Sequence, residues 1–409
     1  MRAMRPGEGF DVERLREPAE AVAAYLAAVR PMPPGIERVA LADAFGRVLA
    51  QDAVAEAFYP ADARSTMDGF AVRSTDGTAL RRIAGTIRMG AAPPGPVHVG
   101  EAMRIPTGGV LPPGADAVVP LENVRDDGES IAVDAAPAAG DSFTPRGDDM
   151  RPGDRIVGAG CRIAAPELSV LATLGIVDVP VFVRPRIAVV STGDELVDAA
   201  EHPGTGQVRD SNRWAIAGSL LAMGCTVVHL PRAVDEEDAI AARIADGLAG
   251  ADAVVLTGGS SVGARDHVPA AIARLGAPGI VVHGLKVKPG KPTVLAAIGA
   301  RPVLGLPGNP TSALMILEAV AAPIVRALTG ERHAAVRRIA TVAAAPFGGR
   351  PGWTWYVPAA VGADGARPLV LRSSHTSLLA RAGGYVVVGP ESSRIESGAA
   401  VTVLGFGGR

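Results

Sequence analysis

Apolar residues recur every three to four positions over residues 11–29, which predicts a helix, and Pro18 suits its first turn. The same spacing over residues 39–54 predicts a second, short helix. From residue 55 to about 145 the pattern changes to short apolar runs between glycine and proline turns, which is typical of a small β-rich domain. We interpret residues 1–54 and 146–180 as a discontinuous scaffold or linker around residues 55–145.

The clearest pattern occupies residues 181–330, where strand and helix periods alternate. Apolar runs at 187–190, 253–256 and 303–306 are typical of buried strands, and amphipathic stretches lie between them. This alternation predicts a central parallel α/β sheet domain, in which ligands lie at the carboxyl ends of the strands. Residues 331–409 return to short strands and turns, which predicts a small C-terminal β-barrel. The predicted fold class is therefore α/β plus β, in several domains.

The composition narrows the class of protein. A chain of 409 residues with 48% hydrophobic and 20% charged residues can form several ordinary cores. Its formal net charge of −2 argues against a nucleic-acid partner. Two cysteines are too few for a disulfide framework or a cysteine zinc site. No long uncharged apolar run and no apolar leader stand out, so we expect no membrane association and a cytoplasmic location.

The lysines are concentrated in one place. All three fall between residues 286 and 291, whereas the other 37 of the 40 basic residues are arginines. A lysine ammonium is a compact charge with three rotatable donors, which suits a small tetrahedral oxyanion. Pro289, Gly290 and Pro292 stiffen and turn this stretch, residues 284–292, which we call the lysine loop. The pattern predicts an anion site, and the alternative is an ordinary basic surface loop.

A glycine-rich stretch at 257–263 follows a predicted strand, so its backbone N–H groups could cradle a phosphate. This stretch matches neither the dinucleotide-binding fingerprint nor the P-loop motif. The alternative to a phosphate site is a tight turn between a strand and a helix. Asp266 follows this stretch, and Asp194 and Glu195 follow another strand. Acids beside a phosphate usually bind a bridging Mg²⁺, because the ion offsets their repulsion.

Asn309 lies between a predicted strand and a predicted helix, where it either caps the helix or contacts a ligand. We find no nucleophile–base triad in the sequence. Charges, glycines and acids at strand ends instead indicate phosphoryl or oxyanion transfer, in which positioning and charge neutralisation dominate.

Eight segments, in this order along the chain, resemble those of the molybdopterin molybdotransferase family, which includes bacterial MoeA and the gephyrin E domain. The segments are residues 65–71, 104–109, 114–118, 145–149, 186–196, 257–266, 288–292 (Lys-Pro-Gly-Lys-Pro) and 306–310. The resemblance implies insertion of molybdenum from molybdate into adenylylated molybdopterin, with Mg²⁺-dependent release of AMP. It also implies an elongated four-part fold and a homodimer whose active site lies between the α/β domain of one subunit and the β-rich domain of the other.

The resemblance implies roles for single residues as well. The molybdate-binding set consists of Lys288, Lys291, Pro292 and Ser374, with Ser373 and Ser377 as neighbouring alternatives to the serine. The nucleotide- or pterin-binding set consists of Thr192, Gly193, Gly258, Gly259, Ser260, Ser261, Gly308 and Asn309.

The acids form the remaining sets. The implied metal ligands are Asp194, Glu195 and Asp266. The implied catalytic residues are Glu195, Asp266, Asp235, Asp68, Asp149 and Thr107, of which Asp68, Thr107 and Asp149 would reach the site from the partner subunit.

The C-terminal region departs most from the family. A family stretch Gly-Arg-x-x-Phe-x-Arg reads Arg-Pro-Gly-Trp-Thr-Trp-Tyr-Val from Arg350, so Arg350 and Arg372 are both candidates for a molybdate-binding arginine. Tungstate is an alternative oxyanion of similar size and charge. A molybdopterin adenylyltransferase-like enzyme and a non-catalytic cofactor-binding scaffold are the competing functions. The lysine loop favours metal insertion over the first, and the acids and lysines together argue against the second.

Overall fold

The computed structural model describes residues 15–258, 267–332, 336–369 and 375–407. It divides into two compact units. The larger unit comprises Met1–Gln51, Ala159–Leu168 and Val177–Arg409. The smaller unit comprises Asp52–Gly158 and Ser169–Ile176.

The smaller unit is built on one six-stranded sheet, as its short apolar runs predict. In spatial order the strands are Ala117–Pro120, Gly69–Val72, Glu101–Ile105, Arg81–Thr86, Ser130–Val133 and Val124–Asp126. Two short antiparallel pairs accompany it, Ala53–Val54 with Arg155–Val157 and Arg64–Ser65 with Phe143–Thr144. Phe70, Val72 and Ile131 are among the residues that form its buried core.

The first predicted helix is confirmed from Pro18 onward, whereas residues 15–17 of the predicted range are not helical, and the second predicted helix is wrong. Helix Pro18–Val29 begins with proline at its first position and buries Ala21, Tyr25 and Val29. The stretch predicted as a helix over 39–54 instead contains the end of strand Ile36–Ala40, a single 3₁₀ turn and strand Ala53–Val54. Ile36–Ala40 pairs antiparallel with Asp178–Phe182, so a distant partner satisfies its backbone and overrides the local helical spacing.

A six-stranded sheet lies at the centre of the larger unit. Its strands, in spatial order, are Thr226–His229, Arg186–Ser191, Ala253–Thr257, Arg301–Leu306, Val294–Ile298 and Pro278–His283. The first four strands are parallel, but Val294–Ile298 runs antiparallel to both of its neighbours. The prediction of a parallel sheet is therefore corrected to a mixed sheet. The reason is the connection to Arg301–Leu306, which is only a tight turn at Gly299 and too short for a parallel crossover.

Helices cover this central sheet. They are Asn212–Ala222, Glu237–Gly250, His267–Ala273 and a continuous helical segment made of Pro310–Ile316, the π-helical Leu317–Ala321 and Ala322–Thr329. Pro310–Thr329 has the length and apolarity of a membrane-crossing helix, but 67% of its most apolar window is buried inside the protein. That burial is typical of the central helix of a core. Leu317, Val320 and Ile324 pack in the same apolar cluster as residues of the central sheet.

The C-terminal part of the larger unit forms a second six-stranded sheet. Its strands, in spatial order, are Val287–Lys288, Thr354–Gly362, Gly384–Val388, Ala400–Leu404 and Arg338–Val342, with Gly365–Pro368 pairing beside Thr354–Gly362. A bridge between Ala343 and Ala366 brings the two sides of this sheet together, so it is nearly a closed barrel. The other short elements are the helices Ala165–Thr173 and Thr376–Arg381 and the 3₁₀ turns Ser74–Asp76 and Leu121–Asn123. Two short strand pairs are Leu196–Val197 with Val208–Arg209 and Phe347–Gly348 with Arg394–Ile395.

Candidate active site at the strand ends and the lysine loop

Thr192 ties together several segments at the carboxyl edge of the central sheet. It follows strand Arg186–Ser191 directly and is 2% exposed. Its backbone N–H donates to the carbonyl of Thr257 at 2.9 Å, and its hydroxyl donates to Asp235 Oδ1 at 2.9 Å. Two adjacent strand ends and the segment before helix Glu237–Gly250 are therefore fixed to one another.

Two glycines bring backbone close to this edge. Gly258 has φ +99°, and a Cβ added there would lie 2.1 Å from the carbonyl oxygen of Thr192. A Cβ on Gly308 would lie 3.4 Å from the Cα of Gly258. Only glycine fits at Gly258, and the two backbones meet at the point where ligands bind in such sheets.

Asn212 holds the second glycine in place. Its side-chain amide donates to the carbonyl of Gly308 at 2.7 Å. Asn309 is exposed at the N-cap position of helix Pro310–Ile316, and within the described chain its side chain makes no capping hydrogen bond. The cap interpretation of Asn309 therefore has no hydrogen bond behind it in the described chain, and the ligand contact stays a prediction.

The predicted acids lie beside the same edge. Asp194 and Glu195 are exposed, and Asp194 Oδ1 accepts a hydrogen bond from the backbone N–H of Asp235 at 3.3 Å. The Glu195 carboxylate lies against Gly193, where an added Cβ would be 2.6 Å from Glu195 Oε2. Exposed carboxylate oxygens are the ligands that Mg²⁺ prefers, so this pair fits the ion.

Part of the predicted site falls outside the described residues, namely Gly259, Ser260, Ser261 and Asp266. Without them, the ranges that the structure describes contain no group of three His, Cys, Asp or Glu side chains that could hold a metal ion. The metal-binding roles of Asp194, Glu195 and Asp266 therefore stay predictions.

The lysine loop is held by backbone hydrogen bonds on two sides. The N–H of Leu285 donates to the carbonyl of Lys291 at 2.9 Å, which closes the base of the loop. The N–H of Lys286 donates to Arg16 at 2.8 Å, and the carbonyl of Lys286 accepts from Thr354 at 3.0 Å. Part of what the sequence indicated as loop is thus strand Val287–Lys288, which pairs in parallel with Thr354 and Trp355.

Gly290 seats the loop on the central helical segment. Its φ is +105°, and an added Cβ would lie 2.1 Å from Ile316 Cγ1, so no side chain fits there. Lys288 is exposed, whereas Lys291 and Pro292 are half-buried. The loop therefore presents its charges from a backbone that has little freedom.

In the smaller unit the structure brings two of the predicted residues together. Asp68 Oδ1 accepts a hydrogen bond from the backbone N–H of Thr107 at 2.7 Å, and both residues are exposed. Asp149 is also exposed, and its backbone N–H donates to the carbonyl of Tyr59 at 3.1 Å.

Comparison with known proteins decides the family. One family model, the MoeA N-terminal region (domain I and II), matches residues 16–175, and another, the probable molybdopterin binding domain, matches residues 188–327. The molybdopterin molybdenumtransferase of Bacillus subtilis is 31% identical over 385 residues, covering 90% of this chain and 89% of the relative. Molybdopterin molybdenumtransferase 1 of Mycobacterium tuberculosis is 32% identical over 418 residues, covering 92% and 95%. The chain belongs to the molybdopterin molybdenumtransferase family. The resemblance seen in the eight segments is confirmed.

Solved structures agree with this family. A molybdopterin biosynthesis MoeA protein from Pyrococcus horikoshii is 28% identical, with a TM-score of 0.78 over 97% of this chain and 100% of that chain. Another MoeA structure from P. horikoshii OT3, at 22% identity and a TM-score of 0.84, supports the fold alone.

The predicted C-terminal contacts to the oxyanion fall partly outside the described residues. Ser373, Ser374 and Arg372 lie outside the described residues, whereas Ser377 is exposed in helix Thr376–Arg381. The guanidinium of Arg350 lies 5.5 Å from the ring centre of Trp353. The molybdate-binding roles of these serines and arginines therefore stay predictions.

Sequence reasoning assigned no role to Asn212 or Trp355. Asn212 bonds Gly308, and the Trp355 ring lies under the ammonium of Lys288 at 4.1 Å. The scarcity of asparagine, with three in the chain, was the only signal for the first. The signal for the second was its place in the C-terminal stretch that departs from the family pattern, where Trp355 stands at the position of the pattern's second arginine.

Proposed function

We propose that this protein inserts molybdenum from molybdate into adenylylated molybdopterin and releases AMP, which yields molybdenum cofactor. Membership of the molybdopterin molybdenumtransferase family supports this proposal. The observation that carries it is the lysine loop. All three lysines of the chain lie on one loop, which is braced by Arg16 and Thr354 and seated on Ile316.

Molybdate is a dianion, and Lys288 and Lys291 are its proposed receptors. A pair of unit charges about 4 Å apart gains roughly 4 kcal/mol at an effective dielectric near 20. A braced backbone lowers the entropy lost when the two ammonium groups close on the oxyanion. An adenylyltransferase-like enzyme needs no such receptor, so the loop favours metal insertion over that alternative.

The strand-end edge is the proposed site for the nucleotide and pterin. Gly258 and Gly308 let a ligand approach the backbone, and the carboxylate of Asp235 holds the hydroxyl of Thr192 in one orientation. Asp194 and Glu195, with Asp266, would hold Mg²⁺. When bound, the ion supplies positive charge that offsets the repulsion between carboxylates and phosphate.

We also propose a cytoplasmic homodimer in which Asp68, Thr107 and Asp149 serve the partner's site. Their exposure on the smaller unit supports this arrangement. Mixing Asp68→Asn chains with Lys288→Ala chains tests it, because each mixed dimer then contains one intact site. Recovery of about a quarter of the wild-type activity is expected from random pairing, and no recovery would contradict a shared site. Cell fractionation tests the cytoplasmic location.

The central experiment is single-turnover AMP release from adenylylated molybdopterin with Mg²⁺, with and without molybdate. Molybdate should accelerate release and molybdenum should appear on the pterin. In Lys291→Ala the molybdate dependence should weaken while binding of AMP is kept. Arg394→Ala is the control, because it removes an exposed basic charge that is paired with Glu396 and has no proposed role in the site. Tight binding of AMP and molybdate with no release would favour the scaffold, and net adenylylation of molybdopterin from ATP would favour the adenylyltransferase.

A further inference from the structure

We propose that Trp355 is a positioning residue for the oxyanion, because its indole ring holds the ammonium of Lys288 at the lysine loop. This inference rests on the proposed binding of molybdate by Lys288. It adds an aromatic side chain of the C-terminal sheet to a site for which the sequence indicated no aromatic residue.

The contact between the two side chains is close. Lys288 Nζ lies 4.1 Å from the ring centre of Trp355. Cations within about 6 Å of an aromatic ring are attracted to its negative face, and tryptophan gives the strongest attraction. Lys288 is exposed, so without the ring its flexible side chain would sample many rotamers in water. The contact selects the rotamers that keep the ammonium beside the loop.

The backbone register makes this contact a built-in feature of the fold. Lys288 stands opposite Trp355, and Val287 stands opposite Thr354, in a parallel strand pair. Residues that face each other across a strand pair project to the same side of the sheet. The two side chains are therefore neighbours wherever that pair forms.

Trp355 is itself anchored from the other side. It is paired with Val388 in strand Gly384–Val388, and its ring packs against the core cluster of the C-terminal sheet. The ring is therefore a fixed platform, and the mobile partner is the lysine. An ammonium has three N–H donors, so a cation held over one face of a ring still has donors directed away from that ring, which can reach an anion.

The test is titration of the full-length protein with molybdate by calorimetry. Trp355→Leu should raise the Kd for molybdate about two- to fivefold, the effect of losing one cation–π contact at an exposed site. Trp355→Phe keeps an aromatic face and should restore most of the affinity. The Kd for AMP should stay the same in both variants. Trp214→Leu, which removes an exposed tryptophan packed on His229, is the control and should leave both affinities unchanged.

A second readout is spectroscopic. The chain has three tryptophans, so Trp214→Phe combined with Trp353→Phe leaves Trp355 as the only one. Molybdate should change the fluorescence emission of that single tryptophan, because the bound anion interacts with the ammonium that lies over the ring. The midpoint of the change should equal the calorimetric Kd. Adding Lys288→Met should abolish the change.

The outcomes separate this inference from the proposed function. If Lys288→Ala raises the Kd for molybdate and Trp355→Leu does not, the positioning role is overturned and the oxyanion site stands. If Trp355→Leu raises the Kd for molybdate and the Kd for AMP equally, the residue has only a structural role and the inference is also overturned. If Lys288→Ala leaves the Kd for molybdate unchanged, the oxyanion assignment of Lys288 fails, and the role of Trp355 fails with it.

Discussion

The hydroxyl of Thr192 donates a 2.9 Å hydrogen bond to the carboxylate of Asp235. This bond joins the end of a buried strand to the segment that precedes helix Glu237–Gly250. The backbone N–H of Asp235 in turn donates to Asp194, so one residue contacts both the buried threonine and the exposed acid. Asp235 is thus placed to affect the site through its charge as well as its shape.

We predict that Asp235→Asn lowers the rate of AMP release by at least about tenfold while leaving the melting temperature nearly unchanged. The amide oxygen can still accept the hydrogen bond of Thr192, so the change removes mainly the negative charge. Single-turnover kinetics and calorimetry measure the two quantities. Asp246→Asn, at an exposed acid paired with Arg243, is the control. A normal rate in Asp235→Asn would show that the charge is dispensable.

We predict that Gly290→Ala weakens molybdate binding and lowers the stability of the larger unit by about 2 kcal/mol or more. The new Cβ would meet Ile316 Cγ1 at 2.1 Å, so the lysine loop must shift. Calorimetric titration with molybdate and thermal unfolding check the two effects.

Gly299→Ala is the matched control for that change. Gly299 also has a positive φ, of +61°, but an added Cβ there meets nothing within 4 Å. Gly299→Ala should lower the free energy of unfolding by only about 1 kcal/mol, the strain of the positive φ, and should leave molybdate binding unchanged. Equal effects of the two substitutions would mean that the contact with Ile316 does not hold the loop.

We predict that Arg81→Met destabilises the smaller unit by about 2 to 4 kcal/mol. Arg81 is 0% exposed, and its guanidinium donates to the carbonyls of Ala79 and Gly77 at 2.9 and 2.6 Å. Removing the donors leaves those carbonyls unpaired. Scanning calorimetry should show a melting temperature that is lower by several degrees. Arg82→Met, at the exposed neighbouring position, should have little effect, and an equal loss there would contradict the prediction.

We predict that titration of His229 makes the folded protein less stable as the pH falls. Partial desolvation, and then the guanidinium of Arg213 whose Nε donates to Nδ1 at 3.0 Å, lower the pKa of His229 below its ordinary 6.5, although Asp210 acts in the opposite direction. Because the unfolded chain then binds more protons, this contribution is present above pH 6.5 and is lost as the pH falls through the folded pKa.

Histidine NMR titration checks that shift. The pKa of His229 should move upward in Arg213→Met, because the repelling charge is gone, and the acid-side loss of stability should become smaller. A pKa that stays in place after the substitution would mean that Arg213 does not repel the protonated ring.

The elements that could be predicted from the sequence are those fixed by local spacing. Helix Pro18–Val29 could be predicted because the apolar spacing and the first-turn proline that mark it both lie within the helix itself. Strand Ile36–Ala40 could not be recognised, because its partner Asp178–Phe182 is far away in the sequence. The direction of Val294–Ile298 was also hidden, since a buried strand has the same apolar composition whether it runs parallel or antiparallel.

The candidate site divides in the same way. Thr192 and Gly258 could be predicted because each directly follows a buried strand. The lysine loop could be predicted because composition alone sets it apart. The contacts of Asn212 with Gly308 and of Lys288 with Trp355 join segments far apart in sequence, and no local pattern reports them.

The pairing of Val287–Lys288 with Thr354 and Trp355 has a consequence for the order in which the protein is made. The ribosome has already added all three lysines, as well as Thr192 and Gly308 beside Gly258, before it reaches Thr354. A chain that stops before Thr354 therefore carries every lysine but lacks the strand that braces them. The strand-end edge of the central sheet can form early in translation, whereas the proposed oxyanion receptor is braced only when the C-terminal sheet has been synthesised and has folded.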